Sequence, residues 1–98
     1  AGQAAEKGAY ILKNLATLQE KYPGLLKEAR GLGLLIGMEF PTDKTGYKVA
    51  SGLFSRNVLT AGTLTNAKTI RIEPALNVPY DIIDKMLDRL EDTFASIA

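Results

Sequence analysis

The sequence has no cysteine, no histidine and no tryptophan among its 98 residues. Without cysteine and histidine it cannot form a disulfide, a thiol nucleophile, a serine–histidine dyad or a zinc finger, so we expect no metal site. It also lacks an apolar run near the ~20 residues of a membrane helix, and Ala1–Gly8 do not resemble a secretion signal. Twelve basic and eleven acidic residues leave a net charge of +1, which predicts neither a nucleic-acid nor a membrane partner. Together these absences favour a cytoplasmic protein.

The length suits one domain, and the composition is 46% hydrophobic and 23% charged. A chain of this size buries roughly 60–70% of the surface that its unfolded form exposes, which is enough for one modest core. We therefore treat residues 1–98 as a single domain. The chain begins inside a helical pattern and without methionine, which fits a processed protein or a piece of a longer one.

Hydrophobic spacing predicts three helices. Apolar residues at three- and four-residue steps predict a helix over Gln3–Tyr22, which Pro23-Gly24 ends. Similar spacing predicts a short helix over Tyr47–Arg56. A final helix follows Pro79, because the fixed φ of proline suits the first turn of a helix. The apolar stripe of this last helix consists of Ile82, Ile83, Met86, Leu87, Leu90, Phe94 and Ile97.

The segments between the helices predict a small sheet. Leu34–Phe40 is apolar and bounded by glycine and proline, which is typical of a buried strand, whereas Leu25–Arg30 is ambiguous and Gly31-Leu32-Gly33 predicts a break. Further strands are predicted over Val58–Ala61 and over Lys68–Glu73, which alternates, with a loop over residues 62–67 between them. The fold class is therefore α+β, with a sheet of about three to four strands covered by two or three helices.

Two sequence patterns suggest sites but favour plainer interpretations. Gly31, Gly33 and Gly37 approach a dinucleotide fingerprint, yet the third glycine is one position late and a strand follows it. A tight turn feeding a strand explains them better than a phosphate site. The final helix carries several acidic residues interspersed with Lys85 and Arg89, which indicates a solvated face of mixed charge. These acids are Asp84, Asp88, Glu91 and Asp92.

Arg71 is the strongest candidate binding residue. It lies in the middle of a predicted strand, on the polar face, where a guanidinium can hold a carboxylate through two hydrogen bonds. The alternative is an exposed strand arginine that pairs with Glu73 or is solvated. The stretch Thr60–Ala67 could approach a ligand through its backbone or simply connect two strands. None of the eight lysines has a setting that predicts Schiff-base chemistry, so the residues alone supply no catalytic group.

Three stretches together resemble the class III pyridoxal-phosphate aminotransferases. Glu28–Phe40 is similar to that family's segment of the form RGxGL-apolar-G-apolar-E. Val58–Gly62 and Thr69–Leu76 resemble its closing block, and the family also ends in an amphipathic helix. Within the family, Gly62–Pro74 is most similar to the putrescine (diamine) branch. The sequence departs from the common pattern at Pro74-Ala75, where a double proline is usual, and at Asn57, where a glycine often stands.

The resemblance implies the C-terminal small domain of a fold type I enzyme, with the large cofactor-binding domain absent from this chain. It implies pyridoxal 5′-phosphate as cofactor and a ping-pong transfer of an amino group from a diamine such as putrescine to 2-oxoglutarate. Arg71 would bind a substrate carboxylate, and Gly62, Thr63 and Asn66 would lie near the mouth of the active site. No residue here matches the Schiff-base lysine or another cofactor-binding group, so the 98 residues alone are expected to be inactive.

The sequence is also compatible with other functions. The chain could belong to an acetylornithine, ornithine or 4-aminobutyrate aminotransferase. It could also be a free-standing α+β regulatory module that binds a carboxylate through Arg71, or a structural or dimerisation domain. The resemblance implies a homodimeric parent enzyme acting on a small amine and a 2-oxo acid, and it leaves open a monomeric state for this chain alone.

Overall fold

In a computed structural model, the described residues form three helices that cover one face of a four-stranded antiparallel sheet. The structure describes residues 2–58, 61–63, 66–75 and 77–98, with the backbone alone for 61–63, 66 and 67. The elements are α1 (Gly2–Lys21), β1 (Glu28–Leu32), β2 (Leu35–Glu39), α2 (Asp43–Ser55), β3 (Ala61–Thr63), β4 (Asn66–Ile72) and α3 (Tyr80–Ile97). The predicted α+β class and the predicted order of helices and strands are confirmed.

The first hairpin joins β1 and β2 through the two residues Gly33 and Leu34. Gly33 has φ +58°, and a glycine at the first central position is the pattern of a type II′ turn. The predicted turn is therefore correct. The predicted break at Gly31 is wrong, because β1 continues to Leu32, which pairs with Leu35. The ambiguous segment before it becomes a strand from Glu28 onward.

A second hairpin replaces the described part of the loop predicted over residues 62–67, whose residues 64 and 65 lie outside the described residues. Ala61–Thr63 forms β3, and β4 begins at Asn66, opposite Thr63. The loop prediction is wrong because the turn preference of glycine, threonine and asparagine is a local one, whereas hydrogen bonding to a neighbouring strand decides strand formation here. Of the strand predicted over residues 58–61, Val58 lies outside any strand, and residues 59 and 60 lie outside the described residues.

The core lies between the helices and the sheet. Ile36, Met38, Ile70 and Ile72 alternate along the two inner strands, and each is at most 3% exposed. The ring of Phe94 on α3 meets Phe40 edge to face, with the ring centres 6.3 Å apart. Burying one such side chain contributes about 1.5–3 kcal/mol, so this layer of side chains stabilises the arrangement of sheet and helices. Among the described residues, no helix is both long enough and apolar enough to cross a bilayer.

Helix α2 begins four residues earlier than its spacing predicts. The hydroxyl oxygen of Thr42 accepts a hydrogen bond from the backbone N–H of Thr45 at 3.1 Å, which caps the first turn. Residues 43–46, which precede the predicted start at Tyr47, are therefore helical. The polar composition of this first turn concealed the helix, because its apolar stripe starts only at Val49.

Asn57 ends α2 in the left-handed region, with φ +64°. Its N–H donates to the carbonyl of Phe54, and the N–H of Val58 donates to the carbonyl of Leu53. These two bonds form a Schellman motif, whose left-handed position is usually glycine and sometimes asparagine. The departure noted at Asn57 therefore satisfies the same backbone requirement that glycine would.

The acidic face of α3 binds the neighbouring helices and is more than a solvated surface. Three of its acids reach α1 or the end of α2: Asp84 accepts a hydrogen bond from Tyr10, Glu91 pairs with Lys21, and Asp92 pairs with Arg56 at 2.7 Å. The hydrogen bond to Asp84 raises the pKa of Tyr10 above its ordinary value. The predicted solvated face of mixed charge is confirmed, since Asp84, Asp88, Asp92 and both basic residues are exposed. Spacing along one helix does not, however, reveal partners on another.

Candidate functional site

Four charged side chains of the sheet, those of Glu28, Arg30, Glu39 and Arg71, share the face that is turned away from the helices. Cross-strand partners in an antiparallel sheet lie on the same face, so the register determines which side chains are neighbours. Two polar rows and one apolar pair cross this open face: Arg30, Gly37 and Arg71; Glu28, Glu39 and Thr69; Leu32 and Leu35. Leu32 is 86% exposed, so none of the described residues covers this edge of the face.

Arg71 lies on β4 in the open face, paired in register with Gly37 of β2 and with Ala61 of β3. Its side chain is 53% exposed. Among the described residues its charged neighbour is Glu73, whose Oε1 lies 3.9 Å from Nε. This distance is beyond the range of a hydrogen bond. Arg71 is therefore an exposed strand arginine beside Glu73, and its guanidinium remains accessible to a carboxylate.

Arg30 occupies the other end of the same row but is bound to carboxylates. Its Nη1 lies 3.2 Å from Glu28 and 3.3 Å from Glu39, and the ammonium of Lys27 lies 3.3 Å from Glu39. Hydrogen bonds from Lys27 and then Arg30 hold the pKa of Glu39 below its ordinary value. Lys27, Glu28 and Arg30 are exposed and Glu39 is only partly buried, so the network contributes little to stability. It does, however, leave Arg30 less available than Arg71 for a ligand.

Sequence reasoning singled out Arg71 but missed Arg30, Gly37 and Glu39 as its neighbours. A two-residue turn at Gly33-Leu34 would have supplied the signal, because it places Arg30 opposite Gly37 in the hairpin. The pairing of β2 with β4 could not be derived in this way, since a helix separates the two strands along the chain.

The residues predicted near the active-site mouth lie in the second hairpin, not in a loop. Gly62 and Thr63 are in β3, and Asn66 starts β4. The backbone places Thr63 opposite Asn66, at the far end of β4 from Glu73. Their proximity to an active site stays a prediction.

A separate cleft of about 420 Å³ lies between the end of β4 and α3. Its apolar lining includes Ile72, Ile83 and Met86, and polar groups such as Lys85 and Arg89 also border it. Glu73 borders the cleft, whereas Arg71 is not among the described residues that line it. The cleft and the open face are therefore distinct features that meet near Glu73.

The sequence profile of the aminotransferase class-III family matches residues 1–94. This match extends over nearly the whole chain and agrees with the segments that suggested the resemblance. The chain belongs to the class-III aminotransferases. The same fold occurs in solved structures of several aminotransferases, whose names give different substrates.

The lysine aminotransferase of M. tuberculosis is 24% identical, with a TM-score of 0.89 over 98% of this chain. The acetylornithine aminotransferase of Elizabethkingia anophelis is 24% identical, with a TM-score of 0.85 over 96% of the chain. The ornithine aminotransferase of Plasmodium yoelii is 23% identical, with a TM-score of 0.84 over 98%. At these identities the likeness shows the fold. This aminotransferase chain spans only 22–26% of the length of those chains.

Two lysines of this class-III chain can be tested as contacts for the cofactor, one because it is buried and the other because it borders the cleft. Among the described residues only Lys7 is a buried lysine, and its ammonium donates to the carbonyl of Val78 and lies 5.7 Å from the ring centre of Tyr80. Lys85 borders the cleft but is exposed. Neither has the open, apolar setting that activates a lysine for Schiff-base formation. These two side chains therefore do not fit a covalent site for pyridoxal phosphate.

Proposed function

We propose that residues 1–98 are the C-terminal small domain of a longer, pyridoxal-phosphate-dependent aminotransferase. The family match over residues 1–94 supports this assignment, as do the fold and the fraction of each related chain that is covered. In this proposal the Schiff-base lysine and the remaining cofactor-binding groups belong to a large domain outside these residues. The parent enzyme would be cytoplasmic and homodimeric.

The proposed reaction moves an amino group from an amine donor to a 2-oxo acid. Pyridoxal phosphate supplies the electron sink for such transfers, while the protein binds and orients the substrates. The role of this domain is to bind the acceptor's carboxylate through Arg71. The observation that carries this role is the half-exposed guanidinium of Arg71 on the open face, with Glu73 3.9 Å away. A planar guanidinium on a strand suits two parallel hydrogen bonds to a carboxylate.

For the donor we propose a diamine such as putrescine, with 2-oxoglutarate as acceptor. The similarity of Gly62–Pro74 to the diamine branch supports this choice. The alternatives are ornithine, acetylornithine or 4-aminobutyrate, and structural relatives named for lysine, ornithine and acetylornithine keep amino-acid donors in consideration.

A donor panel assayed with the full-length enzyme and 2-oxoglutarate tests the proposal. We expect the highest kcat/KM for putrescine among putrescine, lysine, ornithine, N-acetylornithine and 4-aminobutyrate. A higher kcat/KM for one of the amino acids would contradict the diamine assignment alone. Absence of transamination with every donor would contradict the reaction class. The isolated 98 residues should neither transaminate nor form a stoichiometric, borohydride-reducible adduct with pyridoxal phosphate at a single lysine.

A further inference from the structure

Neither the backbone conformation nor the packing of the described residues requires a glycine at position 37. Gly37 lies in the inner strand β2, and its φ is not among the positive values that favour glycine. A Cβ built there meets only the carbonyl oxygen of Arg30, at an ordinary contact distance of 3.8 Å. Elsewhere in the chain a Cβ would clash with a neighbouring atom within 3 Å, as at Gly8, Gly31 and Gly52. Among the described residues, therefore, nothing occupies the space that a Cβ at Gly37 would fill.

Glycine inside a strand weakens the strand, because it loses more conformational freedom on folding and has no side chain to pack. A strand glycine without an internal reason often marks a place where a ligand or another backbone comes close. The space above Gly37 is the space between Arg30 and Arg71, its two cross-strand partners. Side chains on such partners stand about 4.5–5.5 Å apart at Cβ, so the gap is directly beside the guanidinium-bearing residues.

One cation beside this gap remains accessible to an anion. Arg30 and Arg71 flank it on the two sides, and each side chain is 53% exposed. Arg30 is held by Glu28 and Glu39 at 3.2 and 3.3 Å, whereas Glu73 is 3.9 Å from Arg71. Arg71 is thus the group that can reorient toward a ligand, whereas these two carboxylates already balance the charge of Arg30. A planar carboxylate that binds Arg71 could lie flat on the strand only if the neighbouring position has no side chain.

We propose that Gly37 forms the base of the carboxylate subsite beside Arg71 and determines which acceptors fit there. This inference rests on the proposed function, in which Arg71 binds the carboxylate of a 2-oxo acid. The absence of a side chain at Gly37 allows the carboxylate to contact the strand backbone. A larger residue at this position excludes it and leaves a carboxylate-free amine donor unaffected.

The test uses the full-length enzyme and glutarate, an unreactive dicarboxylate, as probe. Gly37→Ala and Gly37→Val form a graded series, and calorimetry gives the Kd of glutarate for each variant. We expect Kd to rise about threefold for Gly37→Ala and tenfold or more for Gly37→Val, and the acceptor's KM to rise in parallel. The single-turnover rate with putrescine should stay unchanged. Because a Cβ has room at Gly37 and glycine weakens a strand, the Tm of the alanine variant should equal or exceed that of the wild type.

Leu35→Phe is the matched control, since Leu35 lies on the same face of the same strand, two residues away and 51% exposed. It should leave the Kd of glutarate unchanged. If it weakens glutarate as much as Gly37→Val, the effect is general crowding of the face, and the proposal is wrong. A lower Tm for Gly37→Val with an unchanged Kd would also overturn it, since a segment of the protein would then occupy the space.

Arg71→Ala separates this inference from the proposed function. If Arg71→Ala leaves the Kd of glutarate unchanged, the proposed role of Arg71 fails and the subsite fails with it. If Arg71→Ala weakens glutarate and Gly37→Val does not, only the role of Gly37 is overturned.

Discussion

Replacing Gly8 with alanine tests how α1 holds the β1–β2 hairpin that carries half of the open face. A Cβ at Gly8 would lie 1.9 Å from the carbonyl oxygen of Gly33, whereas ordinary contact begins at 3.4 Å. The helix and the turn would have to separate by about 1.5 Å, because backbone atoms cannot rotate out of the way. Overpacking costs about 1–3 kcal/mol, and a backbone clash belongs near the upper end of that range.

Alanine returns about 0.5–1 kcal/mol through its better helix propensity, so we expect Gly8→Ala to lose about 2 kcal/mol of the free energy of unfolding. For a domain of this size that lowers Tm by about 8–16 °C. Thermal and urea unfolding of the 98-residue chain, followed by circular dichroism, measure the loss. Gly2→Ala is the control, because a Cβ there meets nothing within 4 Å. Equal or greater stability of Gly8→Ala would refute the packing argument.

Two further changes probe the packing of α2 and the ion pairs of the open face. Gly52→Ala should lower the free energy of unfolding by about 1 kcal/mol, since the new Cβ would lie 2.6 Å from Cγ2 of Thr93. Adding Thr93→Ser removes that methyl group and should restore part of the loss. A double variant that is less stable still would contradict this packing. The ammonium of Lys27 helps to lower the pKa of Glu39 from its ordinary value of 4.5 in the folded state. The ionised Glu39 therefore adds stability above pH 4.5, and this stability is lost as pH falls through the lowered pKa. Tm should therefore fall less between neutral and acid pH in Glu39→Gln than in the wild type, and parallel Tm profiles would count against the ion pairs.

Long amphipathic patterns predicted the helices well. Both predicted ends of α1 and the predicted start of α3 agree with the structure within one residue, because burial of one face gives a strong periodic signal. The edge strands were harder. In β1 only Ala29 and Gly31 face the helices, so Glu28–Leu32 lacks the alternation of large apolar residues that marks a half-buried strand.

The candidate site was predictable in part. The alternation of Lys68–Glu73 correctly placed Arg71 on the polar face of a strand, on the side away from Ile70 and Ile72. The row that joins Arg71 to Gly37 and Arg30 follows from strand register, which depends on tertiary pairing across α2. Local sequence patterns do not contain that information. The same limit explains why the ion pairs between α3 and its neighbours were missed.

The most direct test of the central claim is a kinetic comparison of Arg71→Ala with the wild-type full-length enzyme, with 2-oxoglutarate as the varied substrate. Loss of one charge-assisted carboxylate contact costs about 1.5–3 kcal/mol, so the acceptor's KM should rise, or its kcat/KM fall, about ten- to a hundredfold. Arg71→Lys keeps the charge without the two-pronged geometry and should fall between alanine and the wild type. The half-reaction with putrescine should not change. Unaltered kinetics for the acceptor in Arg71→Ala would contradict the proposal that Arg71 binds the acceptor's carboxylate.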